Sequence, residues 1–165
     1  MLIPAVIWLI AAAAVLAVFI VKYKKNPLTE KDVIYLPKTL FIVAAVIFAF
    51  SAVLGAMSLY VVNYITAVSV LIIMVICVYM MLTQVNQRVT MTGADCFVSG
   101  SVFGKKTDYV FSDFEGFTMN RDRSGVLYMT KGEIKVDLMA RRDEKFFKKL
   151  SEAGKKKAYD AKKNK

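Results

Sequence analysis

The sequence predicts an α-helical membrane region of three transmembrane helices, followed by a small antiparallel β sheet or barrel with a C-terminal helix. Three observations lead there. Leu2 to Val21 is an uncharged apolar run of 20 residues, and Thr39 to Gln87 is a second of 49. After Arg88 the pattern turns to apolar–polar alternation, and after Arg141 it takes a helical period. A bilayer-crossing helix needs about 20 predominantly apolar residues, so the first run makes one span and the second has room for two. The hydrophobic fraction of 57% exceeds the ~45–50% of soluble domains, and the excess lies before Arg88.

The spans are expected at about 2–21, 39–57 and 61–82. Tyr23, Tyr35, Tyr60, Tyr64 and Tyr79 fall near their ends, where amphipathic rings favour the interface. Pro4 and Pro37 sit where a helix begins, and there the missing proline N–H costs nothing. A cleaved signal would carry its positive charge before the apolar run; here Lys22, Lys24 and Lys25 follow it, so a retained anchor is expected. Lys22 to Lys38 holds five Lys, whereas Ser58 to Asn63 has no charge. Positively charged loops stay cytoplasmic, which puts the N-terminus outside and everything after the third span inside. Residues 1–87 are thus read as the transmembrane region, 88–153 as a cytoplasmic β domain with its helix, and 154–165 as a basic tail.

Small residues recur at four-residue spacing at Ala13/Ala17, Ala45/Ala49 and Ser51/Gly55. Such spacing lets helices approach closely, although alanine-rich membrane helices carry it by composition alone. No Asp, Glu, Lys, Arg or His lies inside a span. Intramembrane charges are the usual mark of transport or proton relay, so the membrane part reads as an anchor. Asn63, Thr66 and Ser69 are polar and are expected to serve helix–helix hydrogen bonding.

In the second half, alternation predicts strands at Arg88–Thr92, Cys96–Phe103, Thr107–Phe111, Phe114–Asn120, Val126–Thr130 and Glu133–Ala140. Turns fall at Gly93-Ala94-Asp95, Gly104-Lys105-Lys106, 121–125 and Lys131-Gly132. Phe146, Phe147, Leu150 and Ala153 then share a helical face between Arg141 and Ala153, with Gly154 placed as a C-cap.

This order resembles the bacterial pleckstrin-homology-like (PH-like) domains that follow membrane spans in small proteins. The resemblance rests on RVTMTGADCFVSGSVFGKKTDYVFSDFEGFTM and SGVLYMTKGEIKVDL. They supply a strand ending in Gly104 before a basic turn, the Phe111–Phe114–Phe117 spacing and a Gly-containing hairpin, and the terminal helix follows them. Such a domain has seven strands, and six are legible in 88–153. The resemblance implies a binding module, with ligand loops at Lys105-Lys106 and Arg121–Arg123.

Catalytic chemistry has little to work with. The chain has no His, which removes the commonest general base and metal ligand; no phosphate-binding or dinucleotide motif is present, and no cofactor is expected. Asp113 and Glu115 share a strand face but read as a solvated turn. Cys77 lies in an apolar run and Cys96 in the soluble part, so they are not expected to pair; Cys96 is expected in the core. Charge accumulates at the end, where Arg141 to Lys165 holds eleven basic and four acidic residues. Lys155, Lys156, Lys157, Lys162 and Lys163 beside a membrane would attract anionic lipid at about 1 kcal/mol per cation. Nucleic acid is not an expected partner, since aromatic interleaving is missing. The expected function is a non-enzymatic, membrane-anchored module docking a protein or anionic lipid headgroups. The alternative is an accessory structural subunit of a larger membrane complex, assembled through its spans.

Overall fold

The computed structural model describes residues 2–119, 124–137 and 139–163, with Met119 and 155–163 described by their backbone. The chain divides into two units, and the division is not a single cut. One comprises residues 1–27 and 38–85; the other comprises 28–37 and 86–165.

The first unit is built from α1 (Leu2–Lys25), α2 (Lys38–Tyr60) and α3 (Tyr64–Asn86). All three are long and apolar enough to cross a membrane. α1 and α2 run a few residues beyond their expected spans, because polar and basic end residues continue the helical backbone, whereas α3 starts three residues later than expected, after the turn at 61–63, and ends four residues later. Their outward faces are apolar, with Ile3, Phe50, Ile65 and Val75 exposed. Small side chains set the packing between α1 and α2. Trp8 lies so close on Gly55 that an added Cβ would come within 2.7 Å of the indole, and Trp8 Nε1 donates to the Ala52 carbonyl at 3.0 Å. Tyr23 stacks on Phe41 with ring centroids 4.1 Å apart. Of the small-residue pairs, Ser51/Gly55 is buried in the unit, while Ala13, Ala17 and Ala49 remain exposed.

The turn between α2 and α3 closes locally. Asn63 N–H donates to the Ser58 carbonyl at 2.8 Å and Val62 N–H to Leu59 at 3.3 Å, the paired pattern that ends a helix with a left-handed residue. Val62 takes that conformation, with φ of 61°. Asn63 then caps α3, its Oδ1 accepting from Thr66 N–H at 3.2 Å. Ser69 donates back to Ile65 O at 3.1 Å. Asn63 and Ser69 therefore bond within their own turn and helix: Asn63 meets an N–H that the first helical turn leaves unpaired, and Ser69 shares the carbonyl one turn before it.

Among its described residues the second unit contains eight strands in two antiparallel sheets and one α-helix. The strands are β1 (Asp32–Tyr35), β2 (Val89–Met91), β3 (Cys96–Gly100), β4 (Lys106–Val110), β5 (Phe114–Met119), β6 (Gly125–Met129), β7 (Gly132–Val136) and β8 (Arg141–Arg142). A five-stranded sheet has the order β4-β3-β2-β1-β8, and a three-stranded sheet the order β5-β6-β7. A 3₁₀ turn, Phe111–Asp113, carries the chain from one sheet to the other.

All six strands expected from alternation form, within a few residues of their expected ends. The additional long one is β1, which comes from the segment read as a basic connecting loop. It pairs with β2 through Asp32↔Thr90 and Ile34↔Val89, and with β8 through Ile34↔Arg142. β1 and β2 run antiparallel with Leu36 and Gln87 following at the same end, so α2 and α3 occupy the place of a hairpin turn. The β unit is therefore interrupted by 48 residues of helical hairpin, Lys38 to Val85.

Its core gathers Val33, Ile34, Val89, Phe97, Tyr109, Phe111, Phe114, Leu127, Ile134, Val136, Phe146 and Leu150. Phe97 is at the centre, 5.7 Å from Tyr109, 5.4 Å from Phe111 and 5.2 Å from Phe146 between ring centroids. Cys96 is exposed, a reversal of its expected burial: in a strand of period two, Phe97 takes the inward face and its neighbour must point out.

The terminal helix, α4 (Glu144–Lys163), starts later and runs longer than expected. Arg141 and Arg142 pair with β1, and Asp143 opens the helix, its Oδ1 accepting from Lys145 N–H at 2.8 Å. Gly154 does not end it. A Cβ there would lie 3.2 Å from the Phe114 ring, so this glycine serves close packing inside the helix, which continues through the segment read as a tail. Phe146 and Leu150 are fully buried, while Phe147 is half-buried and meets Phe117 edge-on at 6.3 Å. Phe146→Ala should therefore cost about 3–5 kcal/mol and Phe147→Ala on the order of 1–2 kcal/mol. Urea melts of the two variants check the order; equal midpoints would remove Phe146 from the centre of the core.

Candidate functional site

Two inward-facing polar residues distinguish the five-stranded sheet. In β3, Phe97 and Ser99 point to one face; in β4, Tyr109 and Thr107 point to the same face. Ser99 pairs with Val89 on one side and Thr107 on the other, and Ile34 pairs with Val89. The row Ile34–Val89–Ser99–Thr107 thus changes from apolar to hydroxyl across four strands. Where it becomes polar, the interior opens into a cleft of about 300 Å³.

Ile34, Val89, Tyr109 and Ile134 form the apolar part of the cleft, and Ser99, Ser101 and Thr107 line it with hydroxyls. Lys105, Arg88, Lys135 and Glu133 supply charge at its border. Gln87 reaches over from the chain leaving α3, its Nε2 donating to the Lys135 carbonyl at 3.3 Å. Arg88 pairs with Asp32 at 3.6 Å, which leaves Lys105 and Lys135 against Glu133 and gives the mouth a positive balance. Hydroxyls, a backbone glycine and two exposed ammonium groups suit a small anionic or polar group. Among the described residues no group of three or more His, Cys, Asp or Glu could hold a metal.

One wall of the cleft is pinned at Asn86. The Asn86 carbonyl occupies the space that a Cβ on Gly100 would need, so only glycine lets the two backbones meet. Asn86 Nδ2 donates to Val102 O at 2.7 Å, and Gly100 N–H donates to Arg88 O at 2.9 Å. Gly100→Ala must push the β3–β4 hairpin away from residue 86, at about 1–3 kcal/mol for overpacking. A drop in the unfolding midpoint together with faster proteolysis at 101–105 is the expected result; an unchanged melt would show that the contact is not tight.

Of the residues singled out in the sequence, Lys105 lines the cleft. Lys106 is exposed on β4 with its side chain opposite in sense to Thr107 and Tyr109. Arg121 and Arg123 lie outside the described residues. Lys155, Lys156, Lys157, Lys162 and Lys163 fall on the backbone of α4, and their side chains are outside the described atoms. Asp113 closes the 3₁₀ turn and Glu115 lies in β5: Lys131 lies 3.6 Å from Asp113, and Thr130 Oγ1 donates to Glu115 at 3.2 Å. Sequence reasoning missed Arg88, Lys135, Ser99 and Thr107. The available signal was polarity at inward-facing positions of otherwise apolar strand faces. Comparison of the chain with protein-family models, with curated proteins and with solved structures gives no match.

Proposed function

We propose that this is a multi-pass cell-membrane protein with its N-terminus outside, whose cytoplasmic β unit is a PH-like module docking an anionic lipid headgroup or a protein. The observation that carries the reading is the position of the cleft in the chain. Its wall is held by Asn86, the residue that ends the third apolar helix, and its mouth carries Lys105 and Lys135. If α3 spans the bilayer, that mouth lies near the headgroup layer, where cations meet anionic lipid. Two antiparallel sheets and a C-terminal helix are in keeping with the PH-like resemblance, and binding without catalysis is in keeping with the chemistry of the lining.

Lipid retention tests the docking. Full-length protein purified in mild detergent should carry phosphatidylglycerol measurable by mass spectrometry, and Lys105→Gln/Lys135→Gln should lose most of it. Retention unchanged in that variant counts against the cleft as a headgroup site. Orientation is tested with single cysteines at Lys31 and Val61 in a Cys96→Ser chain. The impermeant reagent should label position 61 in intact cells and position 31 only after lysis; the reverse pattern inverts the topology.

The exposed Ala13, Ala17 and Ala49 favour a second reading, an accessory subunit that packs small-residue faces against a larger membrane complex. A stoichiometric partner that co-purifies and survives loss of the β unit would select it over the docking module.

A further inference from the structure

One side chain in the β unit is placed where folding does not account for it. Phe103, at the tip of the β3–β4 hairpin, is 86% exposed, whereas Phe117, Tyr128 and Met139 are between 37% and 53% exposed. The tip is not loose. Ser101 N–H donates to Lys105 O at 2.8 Å, Gly104 N–H to Ser101 O at 2.9 Å, and Lys105 N–H to Ser101 Oγ at 3.1 Å. Gly104 supplies the left-handed residue the turn needs, with φ of 86°. A defined turn thus presents a bare aromatic ring.

The same turn is tied to the end of an apolar helix. Asn86 donates to the Val102 carbonyl next to Phe103, and its own carbonyl abuts Gly100. Val85, one residue earlier, belongs to the helical unit. Lys105 and Lys106 follow Phe103 and are exposed; between Asp95 and Asp108 there is no acidic residue. An exposed aromatic beside two cations is the composition of an interfacial contact: aromatic rings favour the headgroup level, and cytoplasmic lysines are drawn to anionic lipid.

We infer that the Ser101–Lys106 tip is a membrane foot, with Phe103 seated in the interface of the bilayer and Lys105 and Lys106 on its anionic headgroups. This rests on the proposal that α3 spans the membrane. The foot gives the β unit a contact with the bilayer besides its three chain connections. Rotation of the unit would then be restricted, and the cleft mouth at Lys105 would be kept at headgroup height.

Fluorescence quenching in nanodiscs tests it. Full-length chains carrying Cys96→Ser and one of Phe103→Cys, Thr130→Cys or Ile72→Cys are labelled with a polarity-sensitive dye. They are reconstituted into phosphatidylcholine/phosphatidylglycerol discs containing lipids brominated near the headgroup or deep in the acyl chain. Ile72 is exposed on α3 and Thr130 is an exposed turn residue. Position 72 should be quenched by deep bromines, position 103 by shallow ones, and position 130 by neither. Shallow quenching at 103 should fall at least twofold when Lys105→Gln/Lys106→Gln is added. Quenching at 72 without any at 103 overturns the foot and leaves the membrane reading standing. No quenching at 72 overturns both. Protection of 103 from aqueous iodide without bromine quenching assigns the tip to a protein partner and also overturns the proposal. Phe103→Trp in a Trp8→Phe chain gives the same readout without a dye.

Discussion

A fragment of residues 86–165 is expected not to fold, whereas a chain joining 28–37 to 86–165 through a short Asn-Gly-type turn should unfold cooperatively. The difference is β1. It is an interior strand between β2 and β8, and it buries Val33 and Ile34 in the core. Burying such a side chain is worth about 1.5–3 kcal/mol, so losing two removes roughly 3–6 kcal/mol before any sheet hydrogen bond is counted. That is comparable with the whole stability of a small domain, about 5–15 kcal/mol. The splice should work because β1 and β2 already pair antiparallel, with one register shift between Asp32 and Ile34, and a short turn is the natural connection for such a pair. Circular dichroism melts and amide dispersion in NMR spectra check both halves. A cooperative melt from 86–165 alone would show that β1 is an accessory edge.

The second large effect is expected at Asp32. It is buried, and it accepts from Thr29 N–H at 2.7 Å and from Thr90 Oγ1 at 2.5 Å, with Arg88 at 3.6 Å. The Asp32 and Arg88 side chains are 3% and 14% exposed, so neither charge is well hydrated. Removing one partner of a buried pair typically costs about 3–5 kcal/mol, because the other is left without its counter-charge, while replacing both by apolar residues costs much less. Asp32→Ala should therefore be severely destabilising, and Asp32→Ala/Arg88→Met should recover part of the loss. Proteolysis of the full-length chain in increasing urea, with detergent holding the apolar helices, measures the cycle. Strict additivity of the two single changes would mean that the pair does not interact. The same network ties β1 to β2 across 58 positions of sequence, so it also resists loss of the strand contributed from upstream.

Local pattern carried most of the fold. Each apolar helix, each of the six later strands and the buried Phe146–Leu150 face is written in periodicity, because the physical requirement for each is met within a few residues. Where local reading failed, a distant contact decided. Asp32–Tyr35 has only four strand residues among lysines and prolines, and its apolar side chains are buried by β2, β8 and the core, none of which adjoins it in sequence. Gly154 has the look of a helix stop, yet Phe114 occupies the space that favours glycine there. Cys96 is small and apolar enough for a core, but Phe97 beside it took the inward face.

By itself the sequence determined that three segments are apolar enough to cross a membrane, that the second half is an antiparallel β structure with a terminal helix, and that His-based chemistry is missing. These follow from composition and from periods of 3.6 and two, which are local properties. The tertiary structure alone decided that the helical hairpin interrupts the β unit, that Asp32 and Arg88 are partners, and that Ser99 and Thr107 open a cleft. It also placed the Phe103 tip against Asn86. Each of these depends on strand register and on close backbone approach between residues far apart in the chain, which no local period encodes.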